Sequence, residues 1–319
     1  MTQPKRIVVI GAGPGGYTAA FLAADLGLEV ILIDDAPEPG GVCLHRGCMP
    51  SKALLHLAKV LTEAEELKDW GVSFAQPKID LEQLRLKKDG LVSMLTGGLS
   101  QLARQRKIDY VQGRAALLDS HRVQVTANDG NMQDIQFDYG ILATGSRPAR
   151  LGNLECDHSR VLDSTRALDI RRAPESLLGV GGGYIGLELG SVYAALGAKV
   201  TVVEMTSTLL PGIDNDLVRI FSRRFDRLVE AVHLNTVVNR LAPDDDGVTV
   251  GLSGPDGTVS NLRFDEVLIA VGRVPNSNLE GLDNSLVTTD DRGFVQVDAQ
   301  RRTGEPSLFA IGDLTGEPM

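Results

Sequence analysis

The chain matches itself. At an offset of 170 residues, Ile10-Gly-Ala-Gly-Pro-Gly-Gly16 lines up with Val180-Gly-Gly-Gly-Tyr-Ile-Gly186. In each copy an alanine-rich helical stretch follows and ends in Leu-Gly, at Leu26-Gly27 and Leu196-Gly197. A β-branched strand comes next, Glu29-Val-Ile-Leu-Ile33 or Lys199-Val-Thr-Val-Val203, and closes on an acid, Asp34 or Glu204. Both acids stand 23 residues past the first glycine of their copy. Strand, Gly-x-Gly-x-x-Gly, helix, strand and acid is an order with a physical reason at each place. The first glycine permits a tight turn, the second lets backbone approach a pyrophosphate, and the third lets helix and strand pack closely. The helix N-terminus offers N–H groups and a positive dipole end to the phosphates. The carboxylate can accept hydrogen bonds from ribose hydroxyls. The doubled pattern predicts two Rossmann-like domains that bind two dinucleotides. An acid in both terminal positions disfavours a 2′-phosphate, so NAD is expected over NADP.

Composition narrows the partners. The chain carries 32 basic and 42 acidic residues, a net charge of -10. Phosphate-backbone binding needs a basic face, so nucleic acid is not expected as a partner. Lys5-Arg6 followed by eighteen uncharged residues, Ile7 to Ala24, imitates a signal peptide or a membrane span. The glycine cluster from Gly11 to Gly16 instead predicts strand, loop and helix there. No membrane association and a cytoplasmic location are the expectations.

Boundaries follow from the repeat. The first domain is expected over 1–147, with a long amphipathic helix after Pro50, a polar helical stretch to about Lys107 and strands between Asp109 and Val125. Phe137 to Gly145 predicts a strand running into a glycine turn. The second domain is expected over 148–271 and ends the same way, at Glu266 to Gly272. Residues 272–319 return to the first domain, with strands expected at Gly293–Val297 and from Ser307 toward Asp313. Asp244-Asp-Asp-Gly247 predicts a hairpin turn.

Cys43 and Cys48 lie in Gly40-Gly-Val-Cys-Leu-His-Arg-Gly-Cys-Met-Pro-Ser-Lys52, with neither zinc nor thioredoxin spacing. On a regular helix, side chains five residues apart point about 140° away from each other. A bridge therefore needs a distorted turn, which Gly47 can supply. Cys48 is expected at a helix N-terminus, where a thiolate is stabilised. Two readings fit the spacing, a redox-active pair and two buried thiols. Cys156 is expected to be structural, and His45 to be a loop residue.

Together these motifs resemble the pyridine nucleotide–disulfide oxidoreductases, most nearly their dihydrolipoamide dehydrogenase branch. The two fingerprints, the Cys-x4-Cys segment, Ala143-Thr-Gly-Ser146, Ala270-Val-Gly-Arg-Val-Pro-Asn276 and Ala310-Ile-Gly-Asp-Leu-Thr-Gly316 stand in that family's order over nearly the whole chain. The resemblance implies an α/β, three-layer FAD/NAD(P)-binding fold with the second domain inserted into the first. It implies that Gly11, Gly13 and Gly16 with Asp34 bind FAD, helped by Ala115, Thr144, Gly145 and Asp313, the last facing the ribityl chain. It implies that Gly181, Gly183 and Gly186 with Glu204 bind NAD, near Val238 and Gly272. Cys43 would exchange with substrate, and Cys48 would face the flavin. Lys52 would approach the flavin and pair with Glu188, which otherwise reads as a solvated helix acid.

The implied reaction turns dihydrolipoamide and NAD⁺ into lipoamide and NADH through a Cys43–Cys48 disulfide and FAD. The electron donor would be the dihydrolipoyl group of a 2-oxo acid dehydrogenase complex or a glycine cleavage carrier. Related NAD(P)H-dependent disulfide or mercuric reductases share the cysteine segment, and a non-catalytic FAD- and NAD-binding module is a further alternative. The family runs on by about a third into an interface domain that makes a homodimer and holds a catalytic His–Glu pair. None of His45, His56, His121, His158 and His233 matches that histidine. The expectation is a truncated form, monomeric and impaired in turnover.

Overall fold

The computed structural model describes residues 4–154, 156–316 and 319. The chain divides into two units. The first comprises residues 1–48, 91–147 and 273–319, and the second comprises 49–90 and 148–272.

At the centre of the first unit is a five-stranded parallel sheet. Its spatial order is Leu308–Ala310, Tyr139–Leu142, Arg6–Ile10, Glu29–Asp34 and Asp109–Gln112. The central strands are apolar on both faces because both faces are covered. Val9, Val30 and Leu32 pack with Ala20 and Ala23 of the helix Pro14–Asp25. Val8, Ile10, Ile31 and Ile33 pack on the other side with Ala115, Leu117, Val123 and Val125. Those four belong to an antiparallel sheet of Arg114–Asp119, Arg122–Thr126 and Met132–Gln136. Helix, parallel sheet and antiparallel sheet are the three layers.

The second unit repeats the plan. Ala231–His233, Lys199–Val203, Ser176–Val180, Glu266–Ile269 and Val161–Leu162 form its parallel sheet. Leu177, Val200 and Val202 face the helix layer, where Leu187, Leu189 and Tyr193 of Tyr184–Ala195 lie. Leu178, Val180 and Val203 face an antiparallel sheet of Val237–Pro243, Val248–Ser253 and Val259–Phe264. The turn at Asp244 to Gly247 is a hairpin turn, with the Asp244 carboxylate accepting the N–H groups of Asp246 and Gly247 at 2.9 Å each.

Two sequence expectations are corrected. Residues 49–90 were expected in the first domain but pack with the second unit. Leu54 and Ala58 of the helix Cys48–Glu66 lie in its helix-side core, joined by Leu81 and Leu84 of Leu81–Gln105. The apolar stripe of that helix is visible in the sequence, but nothing in it says which core it meets. Gly293–Val297 is not a strand. It is cut down to one antiparallel bridge, Val295 opposite Thr289, made by Gln296 N–H on the Thr288 carbonyl and Asp290 N–H on the Phe294 carbonyl, both at 2.9 Å, while Val295 N–H goes to the Leu314 carbonyl. Among the described residues, no helix is long and apolar enough to cross a membrane.

Gly179 sits inside the strand Ser176–Val180 without a steric need for glycine. A Cβ there would meet only Val202 at 3.7 Å and the Thr201 carbonyl at 3.8 Å, ordinary contacts. Glycine inside a strand costs roughly 0.5–1 kcal/mol relative to alanine. Gly179→Ala is expected to stabilise the chain by about that amount, read as a higher urea midpoint at unchanged slope.

Candidate functional site

Parallel strands place ligand-binding loops at their carboxyl ends. In the first unit those ends carry Gly11, Asp34, Ala143 to Gly145 and Asp313. In the second they carry Gly181, Glu204 and Ala270 to Gly272. The two glycine loops agree in detail. Gly11 has φ +101° and Gly181 φ +106°, backbone that side chains rarely adopt. Their N–H groups donate to the carbonyls of Ile33 and Val203, each at 2.8 Å. A Cβ on Gly11 would collide with the Ala143 carbonyl, and one on Gly181 with the Ala270 carbonyl. A Cβ on Gly16 or Gly186 would strike the carbonyl of its own first glycine.

The middle glycines behave differently. Gly13 and Gly183 precede their helices with extended backbone, φ -70° ψ -177° and φ -78° ψ 170°. A Cβ on Gly183 would meet nothing within 4 Å, and one on Gly13 only the Gly41 Cα at 3.9 Å. No protein atom requires glycine there, so the space in front of it is left for a ligand. Neither helix has a side-chain cap or an acid in its first turn. No side chain of the helix itself competes for its first N–H groups, which leaves them for a bound pyrophosphate.

The two terminal acids are held alike. Asp34 accepts the N–H of Ala12 at 2.5 Å and that of Ala36 at 2.9 Å. Glu204 accepts the N–H of Gly182 at 2.6 Å and that of Thr206 at 2.7 Å. Each carboxylate thus ties its glycine loop to the residue two beyond itself, and the shorter aspartate makes the same pair of bonds. Burial pushes the Asp34 carboxyl up, opposed by these two N–H donors. The Tyr110 hydroxyl donates to the Ala36 carbonyl at 2.9 Å, and burial, then Asp34, Asp35 and Glu38, push its pKa up.

A short helix, Gly41–Arg46, carries half-buried Cys43, and exposed Cys48 opens the helix Cys48–Glu66. Gly47 is the joint between them. A Cβ on it would lie 2.9 Å from the Val42 carbonyl and 3.4 Å from the Cys43 Cα. The chain folds back on itself there, the break that a regular helix could not supply. His45 is not a loop residue. It lies on the short helix, with Nε2 2.9 Å from the Glu38 carbonyl, so Nε2 must be the protonated nitrogen. Glu38 in turn accepts the hydroxyl of buried Thr96 at 2.5 Å. Burial, and behind it Cys43, push the Tyr17 phenol up.

Lys52 is exposed, and among the described residues no ion pair joins it to Glu188. Glu188 instead receives Ser51 Oγ at 3.4 Å. Successive helix residues differ by about 100°, so the turn that aims Ser51 at Glu188 carries Lys52 away from it. Ala115 and Val238 are both buried core residues of the antiparallel sheets. Gly145 and Gly272 take positive φ, +68° and +116°, with nothing within 4 Å of a Cβ.

Sequence reasoning missed how Thr144 and Asp313 are secured. Thr144 Oγ1 donates to the Asn276 carbonyl and Asn276 Nδ2 to the Thr144 carbonyl, both at 2.8 Å. Ser146 Oγ donates to Asp313 Oδ2 at 2.5 Å and receives Arg273 Nε at 2.7 Å. Ser146, Arg273 and Asn276 all lie inside quoted motifs, but pairs 127 to 167 residues apart in sequence leave no local signal.

Two glycine loops with their acids, and a cysteine pair in the unit of the first, are the features of a dinucleotide-binding class of fold. Residues 5–319 match the pyridine nucleotide-disulphide oxidoreductase family, and the chain belongs to it. The chain is 45% identical over 314 residues to a dihydrolipoyl dehydrogenase of Haemophilus influenzae, covering 98% of this chain and 65% of that one. It is 42% identical to that of Vibrio cholerae, covering 98% and 66%. The chain therefore spans about two thirds of the length of these curated relatives. Among solved structures, LpdA of Mycobacterium tuberculosis superposes with a TM-score of 0.89 at 28% identity, covering 98% of this chain and 68% of that one. The flavoprotein disulfide reductase RclA of Escherichia coli gives 0.85 at 28% identity, covering 99% and 67%. FAD and NAD are the cofactors of this family, and both loops have the open glycine and uncapped helix start that a dinucleotide needs.

The glycines separate into two kinds by experiment. Gly181→Ala should lower stability by about 1–2 kcal/mol or more, through forced positive φ and the Ala270 collision. Gly183→Ala should leave the thermal midpoint within about 1 °C, since its Cβ enters open space, while weakening NADH binding at least about tenfold. Thermal unfolding and NADH fluorescence titration check the pair.

Proposed function

We propose that this chain carries the redox and nucleotide-binding part of an NAD-dependent dihydrolipoyl dehydrogenase. The observation that carries the reading is the break at Gly47, which ends the Cys43 helix just before Cys48, with both cysteines in the same unit as the first nucleotide loop. Support comes from the 38–45% identity to proteins of that name.

In the oxidised chain, Cys43 and Cys48 share a disulfide. One thiolate of a dihydrolipoyl group attacks Cys43 Sγ, the Cys43–Cys48 bond breaks, and Cys48 leaves as a thiolate. The second substrate sulfur then displaces Cys43, closing the substrate disulfide. The substrate loses two electrons and two protons: the cysteine pair takes up the electrons, one proton ends in the hydride delivered to NAD⁺, and the other is released to solvent. Cys48 leaves readily because it stands at the first residue of a helix, beside N–H groups without intrahelical partners. FAD, when bound, supplies the transfer of that electron pair as hydride to NAD⁺. The dihydrolipoyl donor would sit on a carrier of a 2-oxo acid dehydrogenase complex or of glycine cleavage, and the whole protein would be a homodimer.

Anaerobic titration of the FAD-loaded chain with NADH tests the reading. The expected result is a long-wavelength thiolate–flavin band while the flavin stays oxidised, and its loss in Cys48→Ser. Bleaching of the flavin with no such band would show cysteines uncoupled from the nucleotides and overturn the proposal.

A further inference from the structure

The first unit contains a polar chain that ends at a carboxylate on the ligand side of the sheet. Ser146 is 2% exposed, and its hydroxyl is fully used. It receives Arg273 Nε at 2.7 Å and donates to Asp313 Oδ2 at 2.5 Å. Arg273 also grips the Ser146 backbone carbonyl through Nη2 at 2.7 Å. The direction of every bond is forced. A guanidinium can only donate, so the single hydroxyl proton of Ser146 must go to Asp313. An ionised carboxylate can only accept, so the order Arg273⁺, Ser146 hydroxyl, Asp313⁻ is self-consistent.

The carboxylate stands at the carboxyl end of the sheet, where the strand Leu308–Ala310 runs beside Tyr139–Leu142. It is half-buried. Among the described residues, Asp313 Oδ1 has no hydrogen-bond partner, while Oδ2 is held by Ser146. One oxygen is fixed by the protein and the other keeps its lone pairs for a ligand donor. That division suits a polyhydroxyl chain, whose hydroxyls need an acceptor of defined position. A carboxylate free to rotate would have to be ordered at the moment of binding, and affinity would fall by that cost.

We propose that Ser146 and Arg273 are positioning residues for the flavin, acting through Asp313: Arg273 fixes the Ser146 hydroxyl, and that hydroxyl fixes the carboxylate which receives the ribityl hydroxyls. The inference rests on the flavin reading of the first loop. Arg273 bonds Ser146 alone, and among the described residues no ion pair joins it to Asp313. The serine between them carries the coupling.

The test is a double-mutant cycle on FAD affinity, measured in the full 319-residue chain by quenching of flavin fluorescence on addition of apoprotein. Ser146→Ala should weaken FAD binding about tenfold or more, the range for a hydrogen bond to a charged group. Asp313→Ala should weaken it at least as much. The double variant should be no weaker than Asp313→Ala within about twofold, because the serine acts only through the carboxylate. Ser146→Thr, which keeps the hydroxyl, should restore binding to within about threefold of wild type. Equal losses from Ser146→Ala with and without Asp313 would overturn the inference, as would an unchanged affinity in Ser146→Ala. Should Ser146→Ala give no folded apoprotein, Arg273→Gln enters the same cycle, and additivity there overturns the inference equally. Wild-type chain that binds no FAD would overturn the flavin reading and this inference with it, whereas FAD binding with additive variants overturns this inference alone.

Discussion

Both nucleotide loops depend on backbone lying directly on backbone. Where Gly11 passes the Ala143 carbonyl, and Gly181 the Ala270 carbonyl, no room exists for a single carbon. That approach sets the helix close enough over the sheet for its N-terminus to face the strand ends. It also lets Asp34 and Glu204 reach back to the N–H groups of Ala12 and Gly182. Helix dipole, carboxylate and open space before the middle glycine are then properties of one arrangement. Lose the contact and all three move together, because the acids are bonded to the loops that the contact positions.

The same reasoning explains what was legible in the sequence. The glycine spacing and the acid are local consequences of that contact, so they survive as a readable pattern, and the doubling of the pattern gave the two sheets. The apolar runs Ile7 to Ile10 and Val30 to Ile33 announced strands covered on both faces. The break at Gly47 could be anticipated because a regular helix cannot bring Cys43 and Cys48 together. What failed were statements about partners distant in sequence. The helix Cys48–Glu66 displays an apolar face, but a face does not name its partner, and Leu54 and Ala58 turned out to serve the second unit. Gly293–Val297 has strand-like residues, yet it pairs only as a single bridge, Val295 with Thr289, and the Val295 N–H goes to Leu314. No local pattern announced that Ser51 would reach the Glu188 carboxylate. Ser146 and Arg273 show the reverse failure. They lay within recognised motifs, and only the fold reveals that they converge on Asp313.

Polar groups in the first unit are used economically. Asp34 divides its two oxygens between two backbone donors, Ser146 divides its hydroxyl between a donor and an acceptor, and Thr144 and Asn276 exchange bonds reciprocally. Buried polar atoms that find partners within the protein hold their positions before any ligand arrives. The open glycine faces and the second oxygen of Asp313 are the exceptions, and they lie at the strand ends where ligands bind in this class of fold.

Two of the chain's crossings between the units, at Ser146–Pro148 and Arg273–Pro275, are neighbouring strands of one small ladder. Asn276 N–H also donates to the Gly145 carbonyl at 2.9 Å, and Ala149 N–H to the Gly272 carbonyl at 2.9 Å. The long excursion from 148 to 272 therefore leaves and returns through a single doorway. In genetic terms the excursion is a cassette only together with 49–90: two cuts a hydrogen bond apart would lift out the sheet of the second unit but leave behind Leu54, Ala58, Leu81 and Leu84, which complete its helix-side core.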